Sequence, residues 1–242
     1  MKGLISAIQF ITILPAGKHG TFDPAGMIPY FPVTGLLIGF LLSVFDMAVC
    51  QLWSRSAASI LDVVFLVWIT GAFHLDGLGD TADGLYGRRT RERALEIMKD
   101  SRIGSMALVT VVCALGIKWA GLSDLIQHRS LFLIMIPAYA RGSMLFGFRF
   151  LEYGRPDGGT GHAFFQKKIQ WKEFRFLVFP IFLSLFCGWR GLAVNAVFAV
   201  IVAFLLGFYK KRMGCITGDM LGAMTEIAES GLFMAAAMGG DA

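Results

Sequence analysis

The densest chemistry in this sequence is carried by Phe73-His74-Leu75-Asp76-Gly77-Leu78-Gly79-Asp80-Thr81-Ala82-Asp83-Gly84. On a helix, Asp76, Asp80 and Asp83 fall at i, i+4 and i+7 and project from one face. Like charges so placed repel, and at the edge of a bilayer each is also poorly hydrated. A divalent cation resolves the conflict. Mg²⁺ takes hard carboxylate oxygens and keeps coordination sites open for substrate phosphates. The plainer alternative is a wet helix end with solvated acids. The shared face and the interleaved glycines favour the metal.

Further charged residues extend this chemistry. Lys99-Asp100-Ser101-Arg102-Ile103-Gly104 enters an apolar segment. Asp100 serves there either as a helix N-cap or as a fourth acid, Ser101 is a second candidate cap, and a helix N-terminus attracts phosphate. Arg102 either binds phosphate or anchors the helix at lipid headgroups. Arg141 lies inside an apolar segment, where a guanidinium must find a partner. It faces the acids or an anionic substrate, or it pairs with Asp219 or Glu226. Those two acids are i, i+7 on the last apolar segment: Asp219 reaches the membrane edge, whereas Glu226 lies deeper, as a base, a supporting group or the partner of Arg141. His74 falls on the helix face opposite Asp76, either as a packed, hydrogen-bonded histidine or as a base or substrate ligand. Acids with arginines at one membrane face suit phosphoryl transfer, the carboxylates holding metal and the cations offsetting charge on the transferring group. The loop with Gly154, Gly158, Gly159, Gly161, His162 and Lys167-Lys168 could wrap a nucleotide, but it lacks the G-x-x-x-x-G-K-[ST] pattern.

The elements that position these residues are membrane helices. The chain is 56% hydrophobic and only 16% charged, against about 25% charge in soluble domains, and its mean hydropathy is +0.65. The net charge of +5 does not point to nucleic acid, because the basic residues fall between apolar segments as membrane topology requires. Cys50, Cys113, Cys187 and Cys215 are scattered, with neither disulfide nor zinc spacing. The predicted fold is all-α: one polytopic membrane bundle over 1–242, with six to seven spans. Residues 1–26 form an interfacial or re-entrant segment that includes the Gly17-Lys18-His19-Gly20 turn. Spans follow at about 31–52, 60–80, 104–122, 131–148, 176–189 and 192–209, then a last segment at 214–238. The second runs straight into the acidic motif, and 149–175 is a loop. With a cytoplasmic N-terminus, inner segments hold seventeen of the Lys and Arg residues and outer loops only Arg55, Arg129 and Arg190. This bias predicts an N-in topology and puts the acids, Arg88, Asp100, the glycine loop and the start of the last span at the cytoplasmic face of the lipid bilayer. Gly214, Gly218 and Gly222 make a ridge that a second helix can approach closely. A homo-oligomer stays open.

Two resemblances follow. Asp80-x-x-Asp83-Gly84-x-x-Gly87-Arg88 is similar to the opening of the CDP-alcohol phosphotransferase signature. The match is partial: Gly87 replaces an alanine, Ile97 stands where a glycine is required, and Ser101 where an aspartate is. Much more of the chain resembles the cobalamin synthase family. The acidic motif carries this likeness together with Leu95-Glu96-Ile97-Met98-Lys99-Asp100-Ser101-Arg102-Ile103-Gly104, Phe31-Pro32-Val33-Thr34-Gly35, Ala140-Arg141-Gly142, and Thr217-Gly218-Asp219-Met220-Leu221-Gly222-Ala223 with Glu226. The resemblance implies a Mg²⁺-dependent transferase of the bacterial inner membrane. It would join adenosylcobinamide-GDP to α-ribazole or its 5′-phosphate, giving adenosylcobalamin or its 5′-phosphate plus GMP. On that reading Asp76, Asp80, Asp83 and Asp100 hold metal, and Arg102 and Arg141 offset charge on the transferring group. Asp219 or Glu226 takes a proton, and His74, Arg88, Lys99 and Ser101 contact substrate. The alternatives are a CDP-alcohol-type phosphotransferase of lipid synthesis and, with intramembrane charges as coupling groups, a secondary transporter. No inverted repeat supports the last.

Overall fold

The computed structural model describes residues 2–17, 23–155 and 161–239. Lys18, His19 and Gly20 of the early turn and Gly158 and Gly159 of the polar loop lie outside the described residues. The helices in chain order are α1 (Lys2–Ile11), α2 (Pro24–Met27), α3 (Phe31–Val49), α4 (Arg55–Ile69), α5 (Phe73–Leu85), α6 (Arg91–Ile97), α7 (Ser105–Asp124), α8 (Arg129–Phe150), α9 (Val178–Ser184), α10 (Gly188–Arg212) and α11 (Gly218–Ala236). Among the described residues the extended pairing is an isolated parallel bridge between Tyr153 and Ile216. The protein is an all-α membrane protein.

Among the described residues four helical runs are long and apolar enough to cross a membrane: Pro24–Val49, α7, α8 and Trp171–Arg212. The bent pair α4–α5 makes a fifth if it is one span. The sequence predicts six to seven, and two features explain the difference. Asp219, Glu226 and Glu229 make α11 too polar by composition, although Glu226 and Glu229 face inward and are buried. The run Trp171–Arg212 also folds back on itself. Asn195 Nδ2 donates to Ser184 Oγ at 2.7 Å across eleven residues, which a straight helix rising 1.5 Å per residue does not allow. Gly188, at φ +57°, makes the turn.

The acidic motif does not continue a straight span, contrary to the sequence reading. α4 stops at Ile69, and α5 leaves it at 88°. Gly71 and Ala72, at φ +58° and +57°, take the left-handed conformation that ends a helix. The Thr70 hydroxyl turns back to the Leu66 carbonyl at 2.9 Å. α1 docks on the break, its exit strapped down by Ile13 N–H donating to the freed Ile69 carbonyl at 2.9 Å. The bend swings the acids onto a helix of their own.

α8 is the central helix, almost wholly buried. α3 lies against it through Gly35 and Gly39, a small-xxx-small pair that lets two backbones touch. A Cβ at Gly35 would sit 2.5 Å from Ala138 Cα, and one at Gly39 would sit 2.7 Å from Ile134 Cα. Neither neighbour is a movable side-chain tip. Gly39→Val is therefore expected to destabilise the bundle by about 1–3 kcal/mol. Thermal unfolding in detergent checks this, and a variant melting with the native protein would contradict the packing. At the end of the bundle away from the acids, Arg129 ties three helices together. Its Nη2 reaches Asp46 Oδ1 of α3 at 2.7 Å and Asp62 Oδ2 of α4 at 2.8 Å.

Candidate active site

Four acids share one end of the bundle. Asp76, Asp80 and Asp83 come from α5, and Asp219 from the first turn of α11. The two helices approach closely because both carry glycine at the crossing: a Cβ on Gly77 would lie 2.8 Å from the Asp219 carbonyl, and one on Gly222 would lie 3.1 Å from the His74 carbonyl. The predicted glycine ridge of the last segment is thus filled within the chain at Gly222. Gly214 lies before α11, in a turn at φ +66°. α11 begins at Thr217, whose hydroxyl accepts from Met220 N–H at 3.2 Å, and this cap fixes where Asp219 emerges.

The acids are differently engaged. Asp219 Oδ2 accepts from Arg155 Nη2 at 2.6 Å and from the Thr217 hydroxyl at 3.3 Å. Asp83 accepts from the backbone N–H groups of Gly104 at 2.6 Å and Ala107 at 3.0 Å, so it caps α7 from another helix. This corrects the expected N-cap. α7 starts at Ser105, and neither Asp100 nor Ser101 caps it. Asp100 instead closes on its own turn, accepting from Arg102 N at 3.1 Å and Arg102 Nη2 at 2.5 Å. The Arg102 side-chain hydrogen bonds hold the Asp100 carboxyl down to about 2. Among the described residues no hydrogen bond or ion pair engages the carboxylate of Asp76 or Asp80. Asp80 is half-buried and lies within electrostatic reach of Asp76, Asp219 and Asp83, with Arg155 the nearby cation. Among the described residues no three acid, histidine or cysteine side chains are close enough to cage an ion by themselves.

A cleft of about 460 Å³ opens beside this cluster, with Asp83, Arg89, Asp100 and Arg102 on its walls. Arg89 Nη1 donates to the Asp83 carbonyl at 2.7 Å. Arg102 is solvent-exposed on the cleft wall, and the exposed Arg88, Lys99 and Ser101 adjoin wall residues in the chain without lining the cleft themselves.

Three expected site residues are placed elsewhere. Arg141 and Glu226 are buried in the bundle, in a network with Lys118 and Glu229. Lys118 Nζ reaches Glu226 Oε2 at 2.8 Å and Glu229 Oε2 at 2.7 Å, and Arg141 Nη1 pairs with Glu229. The partner of Arg141 is thus neither Asp219 nor Glu226. A guanidinium on α8 meets whichever acid of α11 faces it at the same depth, and that acid is Glu229. His74 is 1% exposed and lies near this network, with both ring nitrogens unpartnered. Sequence reasoning missed Lys118, Glu229 and Arg155 as partners. For the first two a signal existed, since an intramembrane lysine demands a counter-charge and Glu229 follows Glu226 by one turn. Arg155 sits in a loop with no local pattern to mark it.

A family model described as cobalamin-5-phosphate synthase matches residues 3–237. The chain is 36% identical over 237 residues to a protein of Alkaliphilus metalliredigens named adenosylcobinamide-GDP ribazoletransferase, covering 95% of this chain and 92% of the relative. It is 35% identical to a protein of the same name from Clostridium novyi, covering 95% and 94%. An Acinetobacter baumannii protein with that name is 34% identical, covering 93% and 92%. No solved structure matches.

Proposed function

Because the chain belongs to the cobalamin-5-phosphate synthase family, we propose that it joins adenosylcobinamide-GDP to α-ribazole or its 5′-phosphate, releasing GMP. The observation that carries this reading is the match over nearly the whole chain, which takes in the acidic motif. The family match and the relatives named above do not favour a CDP-alcohol or transport activity.

The chemistry is a phosphoryl-type transfer. A ribose hydroxyl of ribazole attacks the phosphorus that bears cobinamide, an O–P bond forms, and the P–O bond to GMP breaks. Asp80, with Asp76 beside it, is the proposed ligand pair for Mg²⁺. The donor set fits, because Mg²⁺ commonly binds through one or two carboxylates and completes its shell with water and substrate phosphates. A full protein cage is not required. When bound, the ion neutralises pyrophosphate oxygens and helps GMP leave. Asp219 takes the hydroxyl proton once it releases Arg155, because it stands at the acid end within electrostatic reach of Asp80, whereas Glu226 is buried in the bundle. Arg102, Arg88 and Arg89 at the rim offset charge on the phosphates. Arg102 leaves Asp100 to do so, an exchange that is cheap for an exposed pair, and it frees Asp100 to join the metal. Lys99 and Ser101 meet the nucleotide from the same rim. The acids face the cytoplasm of a bacterial inner membrane, a placement supported by the bias of Lys and Arg toward that side.

The test is GMP release by protein in lipid-supplemented detergent. Release is expected only with both substrates and Mg²⁺, and EDTA is expected to stop it. EDTA-resistant release would remove the metal. No release at all would remove the transfer.

A further inference from the structure

Beneath the acid cluster, the inner face of α5 borders a small, partly open pocket. Its walls include Phe10, Phe31, Phe73, Phe148 and Phe164, and among the described residues His74 is the one polar side chain lining it. The rings form a continuous cage: Phe10 meets Phe73 edge-on at 5.3 Å and Phe164 at 5.1 Å, and Phe148 stacks on Phe164 at 5.7 Å. His74 is 1% exposed, yet neither Nδ1 nor Nε2 has a hydrogen-bond partner. A buried imidazole left so bears the full desolvation penalty of its polar atoms with nothing to offset it, which core packing alone does not explain. Gly218, also on the wall, directly precedes Asp219, so the pocket adjoins the acids.

We propose that this aromatic pocket receives the benzimidazole base of ribazole, with His74 donating a hydrogen bond to its unsubstituted ring nitrogen. The proposal rests on the transfer reading above. The base is flat and apolar and offers one acceptor, as the pocket offers flat apolar walls and one polar group. Guanine fits poorly, because its several donors and acceptors would find one partner and leave the rest unpaired. The corrin ring is far too large. As it stands the pocket holds about 50 Å³, whereas a cavity of roughly 150 Å³ admits benzene. Entry therefore requires Phe73 to turn outward, and Phe73 is already 48% exposed. With Phe73 turned out, the base takes the space that ring leaves and packs against the remaining aromatic walls, a contact that contributes beyond area burial alone.

The experiment is calorimetric titration of the detergent-purified protein with α-ribazole and with its indole analogue, in which C–H replaces the acceptor nitrogen. The native protein is expected to bind the indole nucleoside about tenfold or more weakly, since one buried hydrogen bond to His74 is lost. His74→Phe is expected to abolish that discrimination while changing the affinity for Mg²⁺–GDP less than twofold. Phe73→Ala, which removes the ring that must move aside, is expected to shift the affinity for both nucleosides by the same factor and to leave the discrimination intact. Equal affinity of the native protein for the two nucleosides overturns the proposal even if the His74 variant fails to fold. GMP release measured on the same sample separates the two readings. Release with no discrimination leaves the transfer intact and sinks the pocket, whereas no release with either nucleoside sinks the transfer itself.

Discussion

Asp80→Asn lowers Mg²⁺-dependent GMP release by about a hundredfold to a thousandfold and leaves the fold intact. Asparagine keeps the volume of aspartate and removes only the charge that would bind metal. In the metal-free protein Asp80 sits among Asp76, Asp83 and Asp219 with no partner of its own, so its loss relieves repulsion. The variant should therefore melt at or above the native temperature without Mg²⁺. It should also lose the stabilisation that a bound ligand gives the native protein by mass action. Asp83→Asn is the informative contrast. Asp83 accepts from Gly104 N and Ala107 N, so replacing its carboxylate weakens the start of α7 and costs about 1–2 kcal/mol of stability. Near-normal GMP release from Asp80→Asn, or a loss of stability matching that of Asp83→Asn, would mean that Asp80 is structural.

Much of this site is legible in the sequence because it is local. The spacing of Asp76, Asp80 and Asp83 puts them on one face of any helix, whatever surrounds it. The ridge of Gly214, Gly218 and Gly222 announces close helix approach, although of the three only Gly222 lies at the crossing and its counterpart Gly77 carries no such signal. Four of the long runs follow from apolar length alone. What is not legible depends on distance along the chain. The right-angle bend before α5 is set by Gly71 and Ala72, and an alanine in the left-handed region leaves no mark in composition. Whether Asp83 binds metal or caps a helix twenty-one residues later is decided by where α7 comes to rest. The same holds for Arg141. Its need for a partner is plain from membrane energetics, but Glu229 is chosen over Asp219 and Glu226 by the relative depth of α8 and α11. The pocket around His74 draws walls from α1, α3, α5, α8 and α11, and no spacing rule reaches that far.

The second large effect is expected inside the bundle. Lys118 and Arg141 balance Glu226 and Glu229, all buried, and Glu229 alone touches both cations. Glu229→Gln keeps the shape and removes the shared charge. Lys118 retains Glu226, but Arg141 is stranded, with its Nε and Nη2 already lacking partners. Stranding one member of a buried pair costs about 3–5 kcal/mol, read as the shift of a detergent unfolding curve. Charge balance then dictates the rescue. Adding Arg141→Met leaves Lys118 with Glu226, a neutral pair, and replaces a guanidinium with an apolar chain that fits the membrane interior. Exchanging buried ions for apolar side chains is often neutral or stabilising, so the double variant should recover most of the loss. If Glu229→Gln costs little, the unfolded chain in the membrane finds partners for its charges as easily as the native bundle does. If the loss is large but Arg141→Met does not restore it, Glu229 acts through Lys118 and not through Arg141.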